Sequence, residues 1–291
     1  MHSSQFARPK PSLEPFLRFY VQREARIPGG ATVVHPVPAR PAPVIVFDFD
    51  DPTDVLVYGQ RATKKSPLAV VVGPQTYRRL EMQLRGALDT LVIAFQPDGI
   101  NRLFSVPMHQ LTDCDFEAHS VLGSFITKLG ERLGNSRSFA ERVRVIEEAF
   151  LPRALASTSR DGVSSAANQI FLAGGGAGIS ALADQAGLSV RQFERRFLQQ
   201  VGMRPKLFTR IARFEATLEN KARFAVKSWT DVAHEFGYYD QMHMVHDFAE
   251  FTGSTPSETL NQLEHVFVEQ IRTLRAAGQS GAASADARLI L

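Results

Sequence analysis

Between residues 31 and 112 the apolar positions come in short runs rich in β-branched side chains. VIVFDF (44–49), DVLVYG (54–59), LAVVVG (68–73) and LVIAF (91–95) are divided by Pro, Gly and Asp. With no long amphipathic segment between them, this spacing predicts an antiparallel sheet or barrel rather than βαβ units. Ahead of it, LEPFLRFYVQREA (13–25) predicts a short helix. From residue 116 to residue 156 the period changes. VLGSFITKLGERL and FAERVRVIEEAFLPRAL place apolar residues at i, i+3, i+4 and i+7, the stripe of packed helices. STSRDGVSSAA (157–167) is small and polar and reads as a linker, residues 168–276 as helices joined by short turns, and residues 277–291 as a disordered tail. The fold class expected is α+β: a β-rich, barrel-like N-terminal domain with helices over 1–156, then an all-α domain over 168–276.

The all-α part states one pattern twice. Phe197, Gly202 and Pro205 recur as Phe248, Gly253 and Pro256, each 51 residues on, and Ala183 and Gly187 recur as Ala233 and Gly237, 50 residues on. An Ala, a Gly four residues later and then a capped helix is the spacing of a helix-turn-helix: the Ala admits close helix approach and the Gly the left-handed turn. Ser189 with Gln192, Ser228 with Asp231 and Thr255 with Glu258 have capping-box spacing.

These residues are similar to the AraC/XylS-type transcription regulators. ISALADQAGLSVRQFERRFLQQVGMRP, a helix containing Arg213, and WTDVAHEFGYYDQMHMVHDFAEFTGSTP together resemble that family's tandem helix-turn-helix domain over roughly 165–260. VVGPQT and AFQPDGINRLF carry a weaker resemblance to its sensor domains. The resemblance implies seven helices in the C-terminal domain, a linker helix at about 206–222, and two recognition helices entering successive major grooves of double-stranded DNA. It also implies subunit contact through the helices at 120–156, hence a homodimer, and a role beside RNA polymerase.

On a helical wheel Phe193 and Phe197 share the buried face of the first recognition helix. Arg191 and Arg195 point away, flanked by Gln192 and Gln199; Arg pairs with guanine O6 and N7, Gln with adenine N6 and N7. Arg196 suits phosphate, and Lys206, Arg210 and Arg213 on the following helix suit either phosphate or bracing the two halves. In the second copy Met244 and Phe248 face the core while Gln241, Met242, His243 and His246 face outward. Residues 179–207 hold five Arg/Lys and two Asp/Glu, whereas 230–258 hold no Arg or Lys and six Asp/Glu. Phosphate neutralisation supplies much of DNA affinity, so the first copy is expected to anchor and read, and the second to add modest, pH-sensitive contacts.

Overall composition, 44% hydrophobic and 22% charged with a net charge of +3, excludes a uniformly basic nucleic-acid coat. One cysteine, Cys114, excludes an intramolecular disulfide. Neither a signal peptide nor a membrane-length apolar run is present, and the expectation is a cytoplasmic protein without membrane contact. AGGGAG (173–178) has no preceding strand and no following Lys-Ser or Lys-Thr, so a join between helices is expected there instead of a phosphate loop. His234, Asp240, His243, His246 and Asp247 lack metal-site spacing, with Asp240 read as a helix cap. DFDD (48–51) reads as a strand-end turn, and Cys114 lacks a basic neighbour. No metal, cofactor or catalytic residue is expected.

The N-terminal domain is expected to bind a small-molecule effector near Phe47, Tyr58, Thr76, Phe95 and Pro97. Two other readings stay open: a β-barrel enzyme with a DNA-binding appendage, for which His35 and His109 are the only histidines within 31–112, and an interaction module with degenerate DNA binding. The apolar stripe Leu260, Leu263, Phe267, Ile271 and Leu274 is read as a C-terminal helix packing on its own domain.

Overall fold

The computed structural model describes residues 2–266, apart from 52, 59–61, 158–159 and 177. Phe267, Ile271, Leu274 and the tail lie outside the described residues. The N-terminal part contains ten strands among the described residues: β1 (His2–Ala7), β2 (Leu17–Arg26), β3 (Val33–Val37), β4 (Val44–Asp48), β5 (Asp54–Val57), β6 (Lys64–Lys65), β7 (Ala69–Val72), β8 (Leu80–Leu84), β9 (Ala87–Phe95) and β10 (Asp115–Glu117). They form two antiparallel sheets, ordered β1-β2-β9-β4-β7-β10 and β3-β8-β5-β6.

Period-two alternation gives the larger sheet two different faces. Ile45, Phe47, Val71, Leu91, Ile93 and Phe95 are fully buried on one of them. There they meet α1 (Gly99–Phe104), α2 (Ala118–Leu122), α3 (Ser124–Gly134) and α4 (Phe139–Ala156), where Phe95, Phe104, Phe125 and Phe150 pack edge to face. Val44, Val46, Val70, Val72 and Val92 occupy the other face, toward the smaller sheet.

The expected helix at 13–25 is instead a turn followed by β2. β2 is an inner strand, paired on both sides and covered on both faces, so Leu17, Phe19, Tyr20 and Val21 are all buried. Such a run loses strict alternation and imitates helical spacing. The linker is shorter than expected too: the Asp161 side chain accepts from Ser164 N at 2.8 Å and caps α5 (Gly162–Leu172).

Beyond α5 come α6 (Ile179–Gln185), α7 (Val190–Val201), α8 (Pro205–Arg223), α9 (Trp229–Glu235), α10 (Gln241–Thr252) and α11 (Pro256–Val266). From α5 onward this makes seven helices among the described residues. The join holding the glycine run is packed: a Cβ at Gly175 would meet Thr209 O of α8 at 2.5 Å. No described helix is long and apolar enough to cross a membrane.

Candidate nucleic-acid interface

Two helix-turn-helix units, α6–α7 and α9–α10, are joined by α8. Gly187 (φ 66°) and Gly237 (φ 69°) make the turns, and Gly202 (φ 95°) and Gly253 (φ 71°) end the second helices, all in the left-handed region that glycine enters freely. α8 serves both units. Its Phe208 lies 5.3 Å from Phe197, and its Phe214 lies 4.8 Å from Phe248. Phe193, Phe197, Met244 and Phe248 have no exposed surface, so each second helix is fixed rotationally by its buried stripe.

That rotation leaves Arg191, Arg195, Arg196 and Gln199 exposed along α7, with Lys206 exposed at the start of α8. None of the three arginines makes an ion pair among the described residues. Gln192 is partly spoken for: its Oε1 accepts from Ser189 N at 3.1 Å in a complete capping box. Arg210 takes the bracing role and not the phosphate one. Its Nη2 lies 2.6 Å from Asp247 Oδ1 and 2.5 Å from Glu250 Oε2, tying α8 to α10. Arg213 stacks over Tyr238, 5.1 Å from the ring centre.

In the second unit Gln241, Met242, His243 and His246 are exposed, Met242 by 60%. Gln241 Oε1 accepts from Thr230 at 2.9 Å, and His243 packs edge-on to Tyr238. The six acids of this unit all have internal partners. Asp231 and Glu258 close capping boxes with Ser228 and Thr255, and Asp240 accepts from His243 N at 2.7 Å to cap α10. Glu235 pairs with Lys227 at 2.5 Å, and Asp247 and Glu250 share Arg210. Lys227 and Arg210, both outside the counted window, set two positive charges against these six acids, so most of the excess remains.

The two sheets of the N-terminal domain enclose a cavity of about 310 Å³. Valines from both sheets form much of its wall, and Arg23, His35, Arg40 and Gln75 are among its polar lining. Burial above all, then Arg23, Arg40 and Arg78, hold His35 down at about 3, and burial lowers Arg23 to about 9 and Arg40 to about 10. None of the five effector residues expected from the sequence lines this cavity. Phe47 and Phe95 belong to the core on the opposite sheet face, Pro97 is buried, and Tyr58 is 43% exposed beneath Arg78 and bonded to Glu81. Thr76 is held by Asp113 through its N and its Oγ1, each at 2.7 Å. Gln75, next to Thr76, does line it, as do Val44 and Val46 on the face opposite Phe47. His35 and His109 are not brought together: His35 is buried at the cavity and His109 is exposed on a 3₁₀ turn.

The N-terminal domain grips both second helices at their C-terminal ends. Thr112 Oγ1 donates to Gly202 O at 2.6 Å. Ala39 N donates to Phe251 O at 2.9 Å, and Arg78 Nη1 to Thr252 O at 3.1 Å. Arg18 pairs with the buried Glu215 of α8 at 3.2 Å, and Ser164 of α5 donates to the buried Asp98.

Residues 182–262 match the model of a helix-turn-helix domain, and residues 5–117 match a domain of unknown function, DUF6597. No curated protein matches the chain in sequence. Among solved structures, ToxT from Vibrio cholerae O395 is similar at 10% identity and a TM-score of 0.47, over 84% of this chain and 98% of that one. Unsaturated fatty acid bound ToxT from Vibrio cholerae strain SCE256 shares 11% identity at a TM-score of 0.45, over 83% and 94%. The AraC-like transcriptional activator CuxR shares 13% at 0.26, over 73% and 86%. The helix-turn-helix match runs from within α6 into α11 and so takes in both units and the helix between them; the C-terminal domain is a helix-turn-helix domain with its two units in tandem.

Proposed function

We propose that the chain regulates transcription by binding double-stranded DNA through α7, with α10 as the weaker second contact, and that an effector in the β-domain cavity adjusts that binding. One observation carries the reading: three arginines with no ion-pair partner among the described residues project from a helix whose orientation two buried phenylalanines fix. Arg191 and Arg195 are placed to reach base edges, and Arg196 and Lys206 to hold phosphate. His246 and Met242 give the second unit contacts of little charge. Such a protein works where the chromosome is, in the cytoplasm, as a homodimer through α3 and α4 and beside RNA polymerase.

The effector site belongs in the cavity between the sheets and not among the aromatics of the helix-facing core. A ligand there shifts DNA binding only through different affinities for two arrangements of the domains, and the grips on Gly202, Phe251 and Thr252 are the contacts that would differ. The test is selection of a preferred duplex from a random pool, then titration of wild type and Arg191→Ala against it. Enrichment of a sequence that Arg191→Ala binds about tenfold less well, or worse, supports the reading; failure of the wild-type protein to retain any duplex at low salt refutes it.

A further inference from the structure

Resting on the reading of α10 as a DNA contact, we propose that the second unit selects thymine by its C5-methyl group, with Met242 and Tyr239 as the residues that read it. The two second helices correspond position by position. α7 and α10 are each 12 residues long, are capped by Ser189 and Asp240, and end at Gly202 and Gly253, each pair 51 residues apart. Met242 therefore stands at the second position of α10, where α7 carries Arg191, and His246 stands where α7 carries Arg195. The place that presents a guanidinium outward in one unit presents a thioether in the other.

Met242 is 60% exposed and Tyr239 is 87% exposed, on either side of the cap Asp240. A large apolar side chain exposed singly is ordinary; two together at the leading end of a helix mark a contact surface. Their polar neighbours are held by the protein. Gln241 Oε1 accepts from Thr230, Asp240 Oδ1 accepts from His243 N, and the His243 ring lies 5.3 Å from that of Tyr238.

Charge decides what such a surface can read. Residues 230–258 hold no Arg or Lys to set against phosphate, and their acids outnumber the cations paired with them. Discrimination by this unit must then come from base edges. In the major groove the thymine C5-methyl is the apolar mark of a base, whereas the other groups there are donors and acceptors. A thioether offers guanine no N–H, but its flexible, polarizable chain fits a methyl group, and the Tyr239 ring adds a flat apolar face. Arg191, Arg195 and Arg196 of the first unit supply the attraction that holds the second against the duplex.

The test resynthesises the duplex enriched by the full chain with deoxyuridine for thymine, which removes the methyl group and keeps the base pairing. The half-site in question lies about one helical turn from the base pair at which Arg191→Ala relaxes selectivity. One replacement there should weaken binding about fourfold, the worth of one buried carbon. The loss should be equal at low and at physiological salt, because no counterion is released. Met242→Ala, checked for native circular dichroism, should bind the thymine and deoxyuridine duplexes alike; Met242→Leu should keep the preference and Tyr239→Ala should shrink it. Met242→Arg should move the base selected there from thymine to guanine. A selected half-site without thymine, or one where deoxyuridine binds as well, overturns the inference and leaves binding through α7 standing. A deoxyuridine penalty that survives Met242→Ala and Tyr239→Ala together overturns the assignment to these residues. Retention of no duplex at all refutes the DNA-binding reading instead.

Discussion

The three guanidinium groups of α7 point where the buried face of the helix sends them, and none of them has a counter-ion among the described residues. Arg191→Ala and Arg195→Ala are each expected to cost about 1–3 kcal/mol of affinity on the preferred duplex and to relax selectivity at one base pair. Arg196→Ala and Lys206→Ala should weaken all duplexes alike and lower the slope of log affinity against log salt by about one each; titrations at several salt concentrations separate the two classes. His246→Ala should cost less than Arg195→Ala on the same duplex, since the second unit offers no cation at that position. His35 reports on acid stability. Its folded value near 3 lies below the ordinary 6.5, so between those limits the unfolded chain binds a proton that the folded one does not. Stability is then lost as pH falls through that window, by up to roughly tenfold in the folded-to-unfolded ratio per pH unit. His35→Gln should flatten that part of a stability-against-pH curve measured by denaturant titration.

At the scale of elements, glycines in the left-handed region have different neighbours and should tolerate replacement differently. Gly187→Ala meets open space and pays only for its backbone, about 1 kcal/mol. Gly202→Ala pays the same and also drives a Cβ to 2.6 Å from Thr112 Oγ1 and 3.0 Å from Met108 O, so it should lower Tm further and part α7 from the N-terminal domain. Arg210→Met should destabilise by about 2–3 kcal/mol, because Asp247 is 1% exposed and loses its cation; this is less than the ~3–5 kcal/mol of a fully buried pair because Arg210 is partly exposed. A melting curve shows the loss, whereas the salt slope of DNA binding should not move. The repeated units were legible in the sequence because their markers, Gly at φ > 0, Pro at the first helical position and paired Phe, are local requirements of the backbone. β2 was not legible: a strand covered on both faces loses the alternation that would announce it. For Arg210 the sequence left phosphate and bracing both open, because the carboxylates that decide between them stand 37 and 40 residues away.

Across the whole molecule the β-domain holds the two recognition helices at positions related by the repeat, Gly202 and the Phe251–Thr252 end of α10. α8 packs on both helices and sets their relative placement, and this grip adds a contact at the end of each. The sequence indicated a β-rich sensor domain but placed its ligand among Phe47 and Phe95. Alternation says that neighbouring residues face opposite ways; it does not say which face meets helices and which encloses space. That choice comes from the second sheet, β3-β8-β5-β6, closing over the valine face. The central claim is settled most directly by titrating a fluorescent duplex with wild type and with Arg191→Ala/Arg195→Ala/Arg196→Ala, at low and at physiological salt. The triple variant should keep the wild-type melting temperature, lose affinity by about a hundredfold or more, and show a shallower salt dependence. Equal affinity and equal slope for the two proteins would contradict the account.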